Sequence, residues 1–243
     1  MEEFIKQNEQ TELKLASKRD KPDKAVIILS GGADSITLLY ALVVEYGCMN
    51  ISALSFNYGQ KHVKELEMAK ATCKKLKVHH EIIDLRTLSN IFAGSSLVSQ
   101  NNIEIPEGHY QAENMKSTVV PNRNGIMLSI AMSYALSRNI PKIFYGAHAG
   151  DHAIYPDCRP EFVGAMQKVG QLCDFNKVEI HAPFLYANKR QIIRLGLNLN
   201  VDYKLTWTCY KGAGKPCGKC GSCQERLEAF EQNDARDPLE YES

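Results

Sequence analysis

Two stretches of the chain carry residue types and spacings that point directly to chemistry. The first is Cys209-x7-Cys217-x2-Cys220-x2-Cys223, four soft ligands within fifteen residues. A CxxC turn brings two sulfurs to one edge of a tetrahedron, and Gly218 and Gly221 let the backbone fold back around an ion. Four thiolates with no open position point to structural zinc, because catalytic zinc keeps a water and takes fewer sulfurs. Lys204, Lys211, Lys215, Lys219 and Arg226 are near in sequence to offset the negative charge of such a centre. An iron–sulfur cluster uses the same ligands and stays open as an alternative. A redox CxxC pair is weaker, since thioredoxin-type motifs carry two cysteines beside a βαβ pattern. Cys48, Cys73, Cys158 and Cys173 are scattered and read as small core hydrophobes.

The second stretch is Ser30-Gly31-Gly32-Ala33-Asp34-Ser35, which follows the apolar run Ala25–Leu29 and opens a helical pattern at Ile36. A buried strand, a tight turn and a helix N-terminus present free N–H groups and the positive end of the helix dipole to an anion. Adjacent glycines let a ligand approach the main chain, and Ser30, Ser35 and Thr37 add hydroxyls. This is a phosphate cradle without the lysine of a Walker A loop and without the three spaced glycines of a dinucleotide fingerprint. Asp34, beside the phosphates, can hold Mg²⁺ or cap the helix.

These stretches need a scaffold, and the chain supplies one. After the loop strand come a helix at Ile36–Tyr46, a strand at Ile51–Phe56 and a turn at Asn57–His62. A helix marked by Leu66, Ala69, Cys73 and Leu76 and a strand at His80–Leu85 follow. A helix at Ile126–Leu136, strands at Lys142–Tyr145 and Val178–His181, and helices at Phe162–Leu172, Lys189–Leu195 and from Gln224 complete the pattern. This βαβ rhythm predicts an α/β fold with a parallel five-stranded, Rossmann-like sheet flanked by helices. Residues 25–200 form that domain, with an insertion around 88–119 that is poor in apolar residues. Residues 1–24 read as a polar arm with a possible helix at Phe4–Leu15. Residues 201–243 read as a small zinc-binding helical segment whose acidic tail, Glu231–Ser243, is expected to be mobile.

The chain has 243 residues, 44% of them hydrophobic, enough to bury a core without disulfides. Its 29 Lys and Arg nearly balance 28 Asp and Glu, so no net field favours nucleic acid or a membrane surface. With neither a leader nor a long apolar run in view, a soluble, cytoplasmic protein is expected.

Ser-Gly-Gly-x-Asp-Ser after a first strand resembles the pyrophosphate-binding loop of the ATP pyrophosphatases, which adenylate a carboxylate or carbonyl oxygen and release pyrophosphate. Further blocks narrow the resemblance. Phe56–His62 with Glu65 is followed by Val120-Pro121-Asn122-Arg123-Asn124 and by Gly146 with Asp151. Tyr155-Pro156-Asp157-Cys158-Arg159 with Phe162, Pro183-x5-Lys189 and the four cysteines come next, in the order and spacing of one family. From about Lys24 to Phe230 the chain resembles the 7-cyano-7-deazaguanine synthases. Two departures stand out, Asn122 and Ile154, each where family members usually carry glycine.

The resemblance implies an ATP-dependent ligase of queuosine biosynthesis. It would convert 7-carboxy-7-deazaguanine and ammonia to the nitrile through adenylated carboxylate and amide, with ATP, Mg²⁺ and one structural zinc. ATP phosphates would be bound by Leu29, Ser30, Gly31, Gly32, Ala33, Asp34, Ser35, Ile36, Thr37, Leu38 and Leu39. Zinc would be held by Cys209, Cys217, Cys220 and Cys223. Asp34, Ser35, His62 and Lys189 are candidate catalytic residues, with Lys189 a point charge on the leaving pyrophosphate. Asp151 or Asp157 can accept the donor edge of a purine-like base, and Arg123 or Arg159 can fork onto a carboxylate or α-phosphate, with Tyr155 beside them. His148 and His152 are further titratable groups without motif support. No nucleic acid, no membrane and a homodimer are the expectations for partners. Coupling of the adenylated acid to another amine, such as a protein N-terminus, and tRNA thiolation stay open as alternatives.

Overall fold

The structure is a computed structural model that describes residues 23–61, 63–92, 94–98, 101, 115–211 and 214–242. The expected helix at Phe4–Leu15 and the candidate His62 lie outside these residues.

Five strands, β1 (Ala25–Ile28), β2 (Ile51–Asn57), β3 (His79–Asp84), β4 (Lys142–Phe144) and β5 (Glu179–His181), form one parallel sheet ordered β3-β2-β1-β4-β5. Each neighbouring pair runs parallel, with Val26 opposite Ser52 on one side and Ile143 on the other. The central strand is apolar at every position because both faces are covered. Ala25 and Ile27 enter one core and Val26 the other, the alternation that a pleated strand imposes.

Helices α1 (Ala33–Tyr46), α2 (Lys64–Leu76) and α5 (Lys189–Asn198) pack their apolar faces with Ile27 and Phe144. Helices α3 (Arg123–Leu136) and α4 (Pro160–Leu172) cover the opposite face with Leu128, Ala131, Met132 and Val163. A final helix, α6 (Gly221–Glu231), lies beside α5 and carries Ala229 and Phe230 into the first core.

The departures from the sequence reading concern ends rather than elements. Helices begin two or three residues earlier than apolar periodicity suggests: α1 at Ala33, α3 at Arg123, α4 at Pro160 and α6 at Gly221. Their first turns are built mostly from small, polar or proline residues, so the apolar period in the sequence starts only after the helix has begun. The described residues of the 88–119 insertion pack against the domain: Ser95 and Ser96 are fully buried, and Gln60 bridges to Val98.

The acidic tail is not free. Arg226, 1% exposed, donates from Nε to Asp237 Oδ2 at 2.6 Å and from Nη2 to Asp237 Oδ1 at 2.9 Å. The Tyr241 hydroxyl donates to the same carboxylate at 2.6 Å, and Glu242 N–H bonds to Pro216 O at 2.8 Å. A buried guanidinium needs a partner for its charge, and the tail supplies it.

Candidate active site

Strands β2 and β3 fan out on one side of β1 and β4 on the other, so the chain reverses direction across the sheet at β1. Open α/β sheets bind ligands beyond the carboxyl ends of the strands at such a switch point. A cavity opens there, lined by Leu29, Phe56, Tyr145 and Gly146 from the strand ends.

The glycine loop forms one wall. Gly31 adopts φ +95°, a left-handed conformation that favours glycine, and a Cβ there would lie 2.0 Å from the Glu65 carbonyl oxygen. Gly32, at φ −73°, opens α1 as its cap. The Ser35 hydroxyl receives the Gly31 N–H at 3.2 Å and sits 3.0 Å from Ser30 Oγ. Of the residues expected to bind phosphate, Leu29, Ser30, Gly32, Asp34 and Ser35 line the cavity. Ala33, Ile36, Leu38 and Leu39 are buried in the core, and Thr37 donates to Ala33 O at 2.8 Å while meeting the Tyr203 hydroxyl at 2.9 Å.

Behind the loop lies a charged cluster. Lys189 Nζ is 2.6 Å from Asp34 Oδ2, 3.2 Å from Glu225 Oε2 and 3.2 Å from His148 Nε2. His148 Nε2 is also 3.5 Å from Asp151 Oδ2, and its Nδ1 accepts the Gly150 N–H. Burial alone would raise the Asp34 carboxyl, but Lys189 and His148 outweigh it and hold the group below the usual carboxylate range. Burial opposes charge on Lys189 too, yet Asp34, Glu225 and Asp151 raise it above the ordinary lysine value. Asp151 goes up, because burial there exceeds the pull of His148 and Lys189. Asp34 Oδ1 is buried without a hydrogen-bond partner among the described residues. An oxygen of this kind beside a phosphate loop fits a Mg²⁺ ligand.

Across the cavity stand Arg123, Tyr155, Tyr58, Glu65 and Tyr210. Arg123 opens α3 and donates to the Tyr58 hydroxyl at 3.4 Å. Asn122, the residue before it, takes φ +50° and ψ +29°, a left-handed backbone that asparagine tolerates. The departure at Asn122 therefore sits at a turn that glycine would also satisfy. Ile154 is buried in the core beside the sheet. Tyr155 OH meets Thr118 Oγ1 at 2.8 Å and Tyr210 OH at 3.5 Å.

Asp157 and Arg159 are placed elsewhere. Asp157 Oδ2 accepts the Asn124 N–H at 2.9 Å, an acid at the positive end of α3. Arg159 donates from Nε to His152 O at 2.8 Å in an exposed setting. Neither side chain lines the cavity. Sequence reasoning gave no role to Glu65, Trp207, Thr208, Tyr210 or Tyr145, all of which do. Glu65 had been visible only as part of a motif, and the rest carry no pattern of their own.

The metal candidate adjoins this wall. Sulfurs of Cys209, Cys217, Cys220 and Cys223 all lie within 4.8 Å of one another and are buried. Backbone N–H groups of Lys211 and Cys217 point at Cys209 Sγ, both at 3.3 Å, as amides do toward thiolates. The segment leading into Cys209 is tied to the glycine loop, because Trp207 N–H donates to Gly31 O at 2.9 Å. Lys64 Nζ sits 3.9 Å from the Trp207 ring centroid, a cation–π contact that fixes the indole.

A parallel sheet with a lysine-free glycine loop at its switch point defines a nucleotide-binding protein of the ATP-pyrophosphatase type. Comparison with solved structures agrees on the fold. The U34-tRNA thiolase NcsA from Methanococcus maripaludis, with its [4Fe-4S] cluster, superposes with a TM-score of 0.51 at 14% identity, covering 89% of this chain and 67% of its own. A family described as "Queuosine biosynthesis protein QueC" matches residues 24–234, and the chain belongs to that family. The 7-cyano-7-deazaguanine synthase of Hahella chejuensis is 57% identical over 91% of this chain and 94% of its own length. That of Pseudoalteromonas atlantica is 57% identical over 90% and 99%.

Proposed function

We propose that the protein converts 7-carboxy-7-deazaguanine and ammonia to 7-cyano-7-deazaguanine at the expense of ATP, releasing AMP and pyrophosphate. The observation that carries this reading is the 57% identity to a relative of that name across nearly the whole of both chains. The cavity suits it chemically. A carboxylate is a poor electrophile because oxide would have to leave, and adenylation replaces oxide with AMP. The glycine loop and the α1 N-terminus receive the leaving pyrophosphate, and Lys189 adds a fixed positive charge that needs no reorganisation. Mg²⁺ held at Asp34 would neutralise phosphate charge. Arg123 presents a planar fork to the substrate carboxylate or the α-phosphate, and the tyrosines hold the flat base. Asp151 can accept the donor edge of the base.

The metal is best read as zinc. Zinc fixes the fold of the 209–223 loop when bound, and four buried sulfurs leave no position for a reactant. Elemental analysis should find about one zinc per chain. Iron with acid-labile sulfide would overturn the assignment. Cys217→Ala should lose the metal and melt at a lower temperature than the unmodified protein, since metal binding there is coupled to folding.

The functional test is product identity. Incubation with ATP, ammonium and the 7-carboxy base should yield the nitrile with two AMP released for each molecule formed. Release of ADP and phosphate would reject the pyrophosphatase chemistry. AMP release without nitrile, restored by a different amine, would favour the alternative acceptor.

A further inference from the structure

Resting on that reaction, the structure leaves one chemical need without an assigned residue. When ammonia attacks the acyl-adenylate, its lone pair forms the C–N bond. The C–O bond to AMP breaks with its electrons, and the nitrogen must give up a proton to become the neutral amide. In the second round the amide oxygen leaves as AMP. The nitrogen then surrenders its two remaining protons as the C≡N bond completes. Both rounds therefore need a proton acceptor beside the reacting carbon.

Three carboxylates line the cavity among the described residues: Asp34, Asp151 and Glu65. Asp34 is committed to Lys189 at 2.6 Å. Asp151 faces His148 at 3.5 Å within the same cluster. His148 is itself held between Gly150 N–H and Lys189 Nζ. Glu65 differs, since its carboxyl makes no ion pair or hydrogen bond with any described residue. Its position is nonetheless fixed. It lies in the first turn of α2, whose backbone packs so tightly on Gly31 that no side chain fits between. It also stands in the field of Arg123, which faces the same cavity. Its backbone adjoins the glycine loop and its side chain lines the same cavity as the guanidinium, the space that an acyl-adenylate would occupy.

We propose that Glu65 accepts the protons released by the nitrogen in both the amide-forming and the nitrile-forming steps. Its carboxyl oxygens are unoccupied acceptors, so they can also hold ammonium or ammonia before attack. A carboxylate that lines the cavity and has no partner among the described residues is placed to take a proton from the attacking nitrogen.

The test uses the metal-loaded protein and Glu65→Gln, which keeps the shape and removes the base. Base-dependent exchange of pyrophosphate into ATP, measured without ammonium, should stay within about threefold of the unmodified protein. Ammonium-dependent amide and nitrile formation should fall by roughly 10²–10⁴-fold, the usual contribution of a positioned proton acceptor. Glu65→Asp, which retains a carboxylate, should keep the exchange and recover part of the lost rate, and it carries the comparison if the glutamine variant does not fold. Nitrile formation by Glu65→Gln, or by the aspartate variant in its place, at the unmodified rate would overturn the assignment. So would an equal loss of exchange and of nitrile formation, which marks a binding role. If the unmodified protein makes neither amide nor nitrile while exchanging pyrophosphate, the functional reading fails and Glu65 loses its role with it.

Discussion

Gly31→Ala will destabilise the protein by about 3 kcal/mol and abolish turnover, whereas Gly32→Ala will leave its melting temperature nearly unchanged. The two glycines look equivalent in sequence, but their surroundings differ. At Gly31 the backbone is left-handed, and a methyl would lie 2.0 Å from the Glu65 carbonyl oxygen. The strained torsion costs about 1–2 kcal/mol, and forcing α2 away from the loop adds about 1–3 kcal/mol. Because the loop is bonded to Trp207 and braced by α2, that displacement also spoils the phosphate cradle. At Gly32 the torsion is ordinary, and the nearest atom is the Ser30 hydroxyl at 3.3 Å, the end of a side chain that can rotate. Thermal melts and ATP binding of the pair check this. Equal stability of the two variants would refute it.

Lys189→Met is expected to have the other large effect, on stability and rate together. Removing one partner of a buried pair leaves the remaining charge uncompensated, at a cost of about 3–5 kcal/mol. Here the stranded group is Asp34, with Asp151 nearby. Loss of the cation proposed to face pyrophosphate should lower turnover by roughly 10²–10³-fold. The pH dependence gives the sign. In the native protein Asp34 is held below its unfolded value. Its contribution is therefore present at neutral pH and lost only as pH falls through that depressed value. In the variant, burial acts on Asp34 without Lys189, so its value rises above the unfolded one and protonation favours folding. The stability deficit of the variant should thus be largest near neutrality and shrink as the solution is acidified toward the ordinary carboxylate range. A deficit independent of pH would contradict this account.

The strands and the glycine loop were legible in the sequence because β1 is a continuous apolar run and β2 and β4 are largely apolar, each stopping near turn residues. The helix starts were less so. Arg123 reads as the end of a loop because its apolar period begins at Ile126, although its backbone is already helical. Side-chain placement across the site was legible only in part. Asp157 and Asp151 are both acids on a loop after β4. Only three dimensions separate the one that caps α3 from the one that faces His148. Glu65, Trp207 and Tyr210 are far from the glycine loop in the chain, and no local pattern announces that they meet it. The tail misled for a related reason. Its acidity suggests solvent, yet one of its acids neutralises an arginine that would otherwise be buried alone.

The hydrogen bond from Trp207 to Gly31 also has a meaning for a chain emerging from the ribosome. The loop sequence is made long before the segment that supplies its closing contact. The central strand likewise waits for β4 before both its edges are paired. A nascent chain arrested ahead of Trp207 would therefore carry every glycine and serine of the cradle without a finished site. Nucleotide could not reward early folding, and the charged cluster at Lys189 would have to wait for Glu225. Until the last cysteines are released, the apolar faces that line the cavity would be exposed to chaperones rather than to substrate.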